Sequence, residues 1–313
     1  MDSLIFSINA VLPLVTLAAL GYILRRIKVI SPEWASGANR LCYRTFLPVM
    51  LFMNIYGAEH LSAINWGLTI FATAGILFAF STGFAVLYIF SVQSRHRSVI
   101  WQTTFRSNFA ILGMPLAISL FGREGGQSAA VLSLFTIPTF TVLSVVVLSG
   151  KLNIGGIVVS IIKNPLIIGV LLGFIVLAVQ INLSKIPFLF SVLNSLSQVA
   201  SPLMLIALGA QFNFKATRGL LKPLAIGVGM RLLFVPAAVL CVAFIFFPRF
   251  HGADFAALIS LFAAPVAVAA TVMAVEMGGD GELAGQMLFW TTVLSAVTIF
   301  MFVFIFKALG ALG

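Results

Sequence analysis

Apolar positions run along this chain in ten long blocks, with polar and charged residues gathered between them. The blocks cover approximately 4 to 24, 36 to 56, 66 to 91, 98 to 121, 127 to 149, 164 to 180, 192 to 211, 222 to 247, 254 to 276 and 283 to 306. About 20 apolar residues cross a hydrocarbon layer ~30 Å thick as a helix, so each block predicts a transmembrane helix. The short alternating segments of a membrane barrel do not occur. The pattern therefore predicts an all-α integral membrane protein of ten transmembrane helices. The first block reads as a retained span rather than a cleaved export signal. Asp2 stands where a signal is basic, the positive charges follow the apolar run, and no small-residue cleavage site precedes Arg25.

Two blocks are interrupted near their middles. The fourth contains Asn108-Phe-Ala-Ile-Leu-Gly113-Met114-Pro115 and the ninth Ala263-Ala264-Pro265-Val266-Ala267. Proline removes a backbone donor and clashes with the carbonyl four residues back, while glycine permits an irregular turn. Freed backbone is tolerated at membrane depth only where protein or a water-filled cavity surrounds it. Broken helices at corresponding places in two halves are the mark of a secondary transporter whose substrate site lies where they meet. If Pro115 and Pro265 each begin a new half-helix, two positive amide ends face the bilayer centre and favour an anion. Continuous helices merely kinked at proline are the competing reading.

The halves match elsewhere too. The offsets are 152 from Pro13 to Pro165, 154 from Pro48 to Pro202 and 150 from Pro115 to Pro265, and Gly21 has its counterpart in Gly173. Five spans per half turn the second copy over, giving inverted repeats over residues 1–150 and 151–313 with crossed broken helices 4 and 9. The linker from Gly150 to Lys163, with Lys151, Asn153 and Gly155-Gly156, leaves no room for a soluble domain. Residues Gln211 to Lys222 predict a short basic helix on the membrane surface.

Composition sharpens this picture. At 61% hydrophobic and 8% charged, the chain is far from a soluble domain. The net charge of +10 reflects topology. Arg25, Arg26, Lys28, Arg40, Arg44, Arg95, Arg97, Lys151, Lys163, Lys215, Arg218 and Lys222 follow odd-numbered spans, which makes those loops cytoplasmic and both termini external. A plasma membrane, in bacteria the inner one, is the expected location, and the bilayer rather than nucleic acid is the partner of the basic loops. All eight acidic residues lie at or beyond span ends, which leaves no carboxylate for a mid-membrane proton relay. His60, His96 and His251 fall in loops and are expected to be solvated. Cys42 and Cys241 fall inside spans and are expected to be buried thiols with neither disulfide nor zinc. No zinc, serine-nucleophile or phosphate-loop motif points to an enzyme. No metal or cofactor is expected, and the coupling ion, H+ or Na+, is left open.

The candidate substrate residues are Asn108, Arg106, Gly113, Met114, Pro115, Ala264, Pro265 and Val266. The Asn108 amide both donates and accepts, so it can hold a carboxylate or cap a broken helix end. Charges inside spans are costly and usually functional. Arg106 and Arg231 stand eight to nine residues from the cytoplasmic starts of their spans, roughly 12 to 14 Å deep, from where arginine can snorkel to the inner interface. Arg106 reads as an attractor for an anionic substrate. Arg231 reads as an interfacial anchor or a substrate contact.

The motif Asn108-x6-Pro115 with Gly113 inside it and Gly122 closing the span resembles the crossover helix of the auxin efflux carrier family. That family includes the plant PIN proteins and bacterial malate or malonate permeases. Ala264-Pro-Val-Ala-Val-Ala-Ala-Thr-Val-Met-Ala-Val-Glu-Met-Gly-Gly-Asp280, Leu283-Ala-Gly and Thr291-Thr-Val-Leu-Ser295 are similar to its ninth and tenth helices. Phe46-Leu-Pro48, Leu51-Phe52 and Leu208-Gly-Ala210 look like its second- and seventh-helix signatures. The resemblance covers essentially the whole chain. It implies a scaffold domain and a transport domain of the bile-acid-symporter and NhaA type, moved in an elevator-like way, often within a homodimer. It also implies carboxylate substrates bound at the Asn108–Pro115 and Pro265 regions. The short central loop departs from the long-loop plant members, which favours small dicarboxylates over auxin. A sodium-coupled bile-acid-like symporter, and a membrane sensor or channel, are the alternatives.

Overall fold

A computed structural model describes residues 2–57, 65–150, 154–213 and 215–312; Glu59, His60, Lys151, Asn153 and the side chain of Asp2 lie outside it. Among the described residues the regular structure is entirely helical. The first block is α1 (Asp2–Arg26). The second is α2 (Pro32–Leu41) and α3 (Leu47–Tyr56), joined by a widened π turn over Cys42–Phe46. Then come α4 (Trp66–Ile89), α5 (Ser94–Phe105), a π turn over Phe109–Gly113, and α6 (Met114–Leu148). The second half holds α7 (Ile154–Ile162), α8 (Pro165–Ala178), α9 (Pro187–Gln211), the single turn α10 (Ala216–Gly219) and α11 (Leu221–Gly229). A third π turn, Met230–Phe234, leads to α12 (Val235–Phe246), and α13 (Ala253–Phe262), α14 (Val268–Glu276) and α15 (Gly281–Ala308) complete the chain.

Among the described residues, five stretches are long and apolar enough to cross a membrane: Trp66–Ile89, Phe109–Leu148, Pro187–Gln211, Leu221–Phe246 and Gly281–Ala308. Pro165–Ala178 and Ala253–Phe262 are apolar but shorter. The chain is thus a multi-pass membrane protein.

Local chemistry sets the helix starts. Asn65, Asn164 and Asp280 stand at N-caps and accept from the N–H groups of Leu68, Leu166 and Leu283, satisfying donors that a helix cannot satisfy itself. Prolines set the wide turns. Pro48, Pro115 and Pro236 each follow a π turn by two residues, where looser winding makes room for the ring and absorbs the missing donor. Within α6, Gly122 at φ 54° and ψ −137° turns the chain back, so the fourth and fifth blocks are two arms of one hairpin. That left-handed conformation is open to glycine at no cost to a side chain.

Close helix contacts run through small residues. A Cβ at Gly21 would strike Ile206, and one at Gly209 would strike Ala18, so α1 and α9 cross with their backbones touching. Glycines 169 and 173 bring α8 equally near to Pro48, Phe52 and Ile55 of α3. Helix α6 lies along α13, and α1 also reaches α15.

Several expectations change. The central linker is in part a helix, α7, because Ile154-Gly-Gly-Ile-Val-Val-Ser-Ile-Ile is apolar enough to wind. The expected basic surface helix after Gln211 is the four-residue α10, since Gly219 stops it. Cys42 is buried as expected, but Cys241 is exposed on α12. His96 is buried rather than solvated: Asp280 Oδ2 accepts from its Nδ1 at 2.9 Å, which ties the start of α5 to the start of α15. His251 is exposed, as expected.

Candidate functional site

The two interrupted spans meet backbone to backbone. Helix α5 ends at Phe105 and α13 at Phe262, and the extended stretches beyond them pair antiparallel at Ser107 and Val266. Asn108 N–H donates to Pro265 O at 2.8 Å and Ala267 N–H to Arg106 O at 3.2 Å. Val266 N–H is taken by Thr291 Oγ1 of α15 at 3.3 Å. Unwound backbone in a membrane must find partners; here each break supplies them to the other.

The fourth-span break lies at residues 106–108, not at Pro115. After Asn108 the chain is already helical: Asn108 O accepts from Leu112 N–H at 3.0 Å and Gly113 N–H at 3.2 Å. The N–H groups of Phe109, Ala110 and Ile111 therefore form the amide end of the second half-helix, ahead of its first internal bond. Pro115 sits more than a turn further on and is exposed, and Met114 is half-buried. The π turn before Pro115 absorbs the strain that would otherwise have broken the helix there. In the ninth span Pro265 lies inside the extended stretch, and α14 begins after Ala267.

Arg231, 1% exposed, braces both breaks. Its Nε donates to Ala264 O at 2.9 Å, its Nη2 to Phe262 O at 2.8 Å and Leu261 O at 3.2 Å, and its Nη1 to Thr104 O at 3.4 Å. These carbonyls belong to the closing turns of α13 and α5, where helix dipoles leave partial negative charge and a cation is favoured. Neither inner arginine snorkels, contrary to expectation. Arg106, 3% exposed, turns sideways to α6, where Nη1 donates to Phe140 O at 3.0 Å and Ser144 Oγ at 2.8 Å. Arg231 is held by carbonyls near helix ends, and Arg106 by one mid-helix carbonyl and a serine inside the bundle.

With that pairing complete, three consecutive residues keep buried polar atoms that have no partner among the described residues: Arg106 Nε, Ser107 Oγ and Asn108 Nδ2. All three can donate. They line a cavity of about 40 Å³ walled by Met50, Leu51, Ile137, Phe140, Ala267 and Ala269, which is room for about one water or the head of a carboxylate. Of the expected residues, Arg106 and Asn108 line this cavity. Ala264, Pro265 and Val266 are buried at the crossing behind it, Gly113 packs on Ser260, and Met114 and Pro115 stand apart. Ser107 was not singled out from sequence, although its place between Arg106 and Asn108 was a usable signal. Met50 and Leu51 arrive because Pro48 positions α3, a link that no local pattern carries.

Larger cavities flank the crossing. One of about 370 Å³, at the end of the molecule bearing Arg25 and Gln211, reaches Val268 at the head of α14. Another of about 570 Å³, at the opposite end, is lined by Asn65, Arg123, Gln127 and Leu134. Asp254 lies at its edge, accepting from Asn65 Nδ2 at 2.9 Å and Ser128 Oγ at 2.8 Å.

Comparison with known proteins points the same way. A family model described as "Membrane transport protein" matches residues 6–303. An uncharacterized transporter of Methanothermobacter thermautotrophicus is 30% identical over 302 residues, covering 94% of this chain and 96% of the relative.

Proposed function

From the premise that the chain belongs to the membrane transport protein family, that of the auxin efflux carriers, and is a transporter rather than an enzyme, we propose that it carries small organic anions, carboxylates, by alternating access. The observation that carries this reading is the run of unpartnered donors at Arg106, Ser107 and Asn108 beside the amide end of a half-helix. Of the nine buried side-chain polar atoms without a partner among the described residues, these three alone fall on consecutive residues lining one cavity, which supports a ligand there. A group facing only donors and a positive helix end is an anion, and a carboxylate suits the small head space.

The mechanism follows from where the charges are fixed. Arg231 neutralises the carbonyl ends of the two breaks, so the amide ends at Phe109 and Val268 keep their positive potential for the substrate. Asn108 binds the carboxylate through Nδ2, Ser107 adds a hydroxyl, and Arg106, anchored on α6, contributes Nε. The small cavity has room for this head group alone, so the two larger cavities flanking the crossing are the routes by which it would be reached, one at a time. The close pairs α1 with α9 and α3 with α8 fit a scaffold of spans 1, 2, 6 and 7, and the crossing helices fit a transport unit that moves against it. The two pairs also relate spans 1 and 7 to spans 6 and 2, as inverted five-span repeats require. The basic loops support a reading with both termini outside a plasma membrane, and the family resemblance supports a homodimer.

The sodium-coupled alternative has less support. The carbonyls an ion would use at the crossing, those of Leu261, Phe262 and Ala264, already accept from Arg231.

A ligand that binds the folded state raises its melting temperature. The purified protein should therefore melt higher with at least one acid of a mono- and dicarboxylate panel, with and without sodium alike. No shift with any acid would overturn the anion reading; a shift that requires sodium would restore the symporter.

A further inference from the structure

The cavity of about 370 Å³ between α1, α2 and α9 on one side and α14 and α15 on the other is polar in a selective way. Most amides and hydroxyls around it are satisfied. Gln286 Nε2 donates to Asn213 O at 2.8 Å, and its Oε1 accepts from Thr217 Oγ1 at 2.9 Å and Trp290 Nε1 at 3.2 Å. Thr271 Oγ1 donates to Ala284 O at 3.3 Å. Two groups are not satisfied among the described residues: Oδ1 of Asn39, a residue 3% exposed, and Nε2 of Gln211. One is an acceptor and the other a donor, and both residues line the cavity. Arg25, also in the wall, commits Nη1 to Ala210 O at 2.8 Å and so is held in place with further N–H groups to offer. Met204, Leu208, Val268 and Leu288 make the rest of the wall apolar, and Glu282 stands exposed at the mouth.

We propose that this cavity is a loading site next to the crossing and that it selects carboxylates bearing an O–H or N–H donor on the adjacent carbon and an apolar body, that is, apolar 2-hydroxy or 2-amino acids. This rests on the anion-carrier reading and narrows its substrate class. The carboxylate faces Arg25 and Gln211 Nε2, the donor on the next carbon meets Asn39 Oδ1, and the body lies on Met204, Leu208 and Leu288. Val268 both lines this cavity and begins the half-helix whose amide end faces the crossing, so a loaded acid has a short path onward. A second carboxylate would meet an apolar wall or Glu282, which disfavours dicarboxylates here.

The test is calorimetric titration of the full chain in lipid nanodiscs with 2-hydroxy-4-methylpentanoate, leucine, 4-methylpentanoate and malate. One hydrogen bond to Asn39 corresponds to about 3- to 10-fold tighter binding of the hydroxy acid or leucine than of 4-methylpentanoate. Which of the two binds tighter separates hydroxyl from amino chemistry. Asn39→Ala should erase that preference while leaving 4-methylpentanoate unchanged, an outcome that general loosening of the fold does not produce. Arg25→Gln should weaken every monocarboxylate by roughly 10-fold or more. Equal binding of the substituted and plain acids, a preference that survives Asn39→Ala, or malate binding tightest would each overturn the inference. If uptake is saturable and lost in Asn108→Ala while no preference appears, this inference alone fails; if no acid binds and Asn108→Ala changes no flux, the carrier reading fails with it.

Discussion

The two breaks at the crossing look alike in sequence and differ in chemistry. Each is a short extended stretch between half-helices, and each satisfies the other's backbone. The ninth-span break, Ala263 to Ala267, has no polar side chain; Arg231 donates to Ala264 O within it and to the carbonyls of Leu261 and Phe262 just before it. The fourth-span break, Arg106 to Asn108, is all polar, and each residue retains a donor with no partner among the described residues. One break is a satisfied structural joint, and the other keeps spare donors at the place proposed for binding. The difference teaches that a broken membrane helix is not in itself a site. What makes a site is polar capacity left over after the backbone has been accounted for.

The largest effect should come from breaking the satisfied joint. Arg231→Met leaves the carbonyl ends of two half-helices without their cation, and several charged hydrogen bonds at 1.5–3 kcal/mol each imply a loss of at least roughly 3 kcal/mol. The expected outcome is poor recovery of monodisperse protein and a much lower melting temperature, with Arg231→Lys partly restoring both. Near-normal melting of Arg231→Met would erase the distinction between the breaks.

Next is Asn108→Ala on the binding edge. It removes an amide that folding leaves unpaired, so stability should stay level or rise by up to about 1 kcal/mol. Carboxylate uptake should nonetheless fall by at least roughly 10-fold, since the lost bond is to a charged group. A drop in melting temperature as large as that of Arg231→Met would assign Asn108 a structural role instead. Ser107→Ala should behave in the same direction but more weakly, costing about 3- to 10-fold in apparent affinity with unchanged melting.

The smallest effect on uptake tests the hairpin that carries the fourth break onward. Gly122→Ala puts a side chain at φ 54° and ψ −137° with no steric contact nearby, so only the backbone preference is lost, roughly 1–3 kcal/mol in a region that glycine alone occupies readily. A modest fall in melting temperature with unchanged uptake is expected.

Much of this arrangement was legible from residue patterns. Apolar blocks marked the helices, and the prolines at 115 and 265 marked the two spans that break. Their resolution was limited to about two turns. Proline lacks its own donor and leaves the carbonyl four residues upstream without a partner, and the chain could answer with a break or with a wide turn; at Pro115 it chose the turn and placed the break at Arg106–Asn108. The roles of Arg231 and Arg106 were out of reach because depth along a span suggests snorkelling, while their partners, Phe262 and Ser144, come from other helices. His96 was misread for the same reason, its partner Asp280 lying 184 residues away. Local chemistry is written in the sequence; which leftover carbonyl meets which cation is decided by packing.

The most direct test of the central claim is uptake of a labelled carboxylate, chosen by its thermal shift, into proteoliposomes containing the wild-type chain or Asn108→Ala, each checked for intact folding by melting temperature. The account predicts saturable uptake by the wild type and loss of it in an equally stable Asn108→Ala protein. Equal saturable uptake by both would contradict it and move the site away from the fourth-span break.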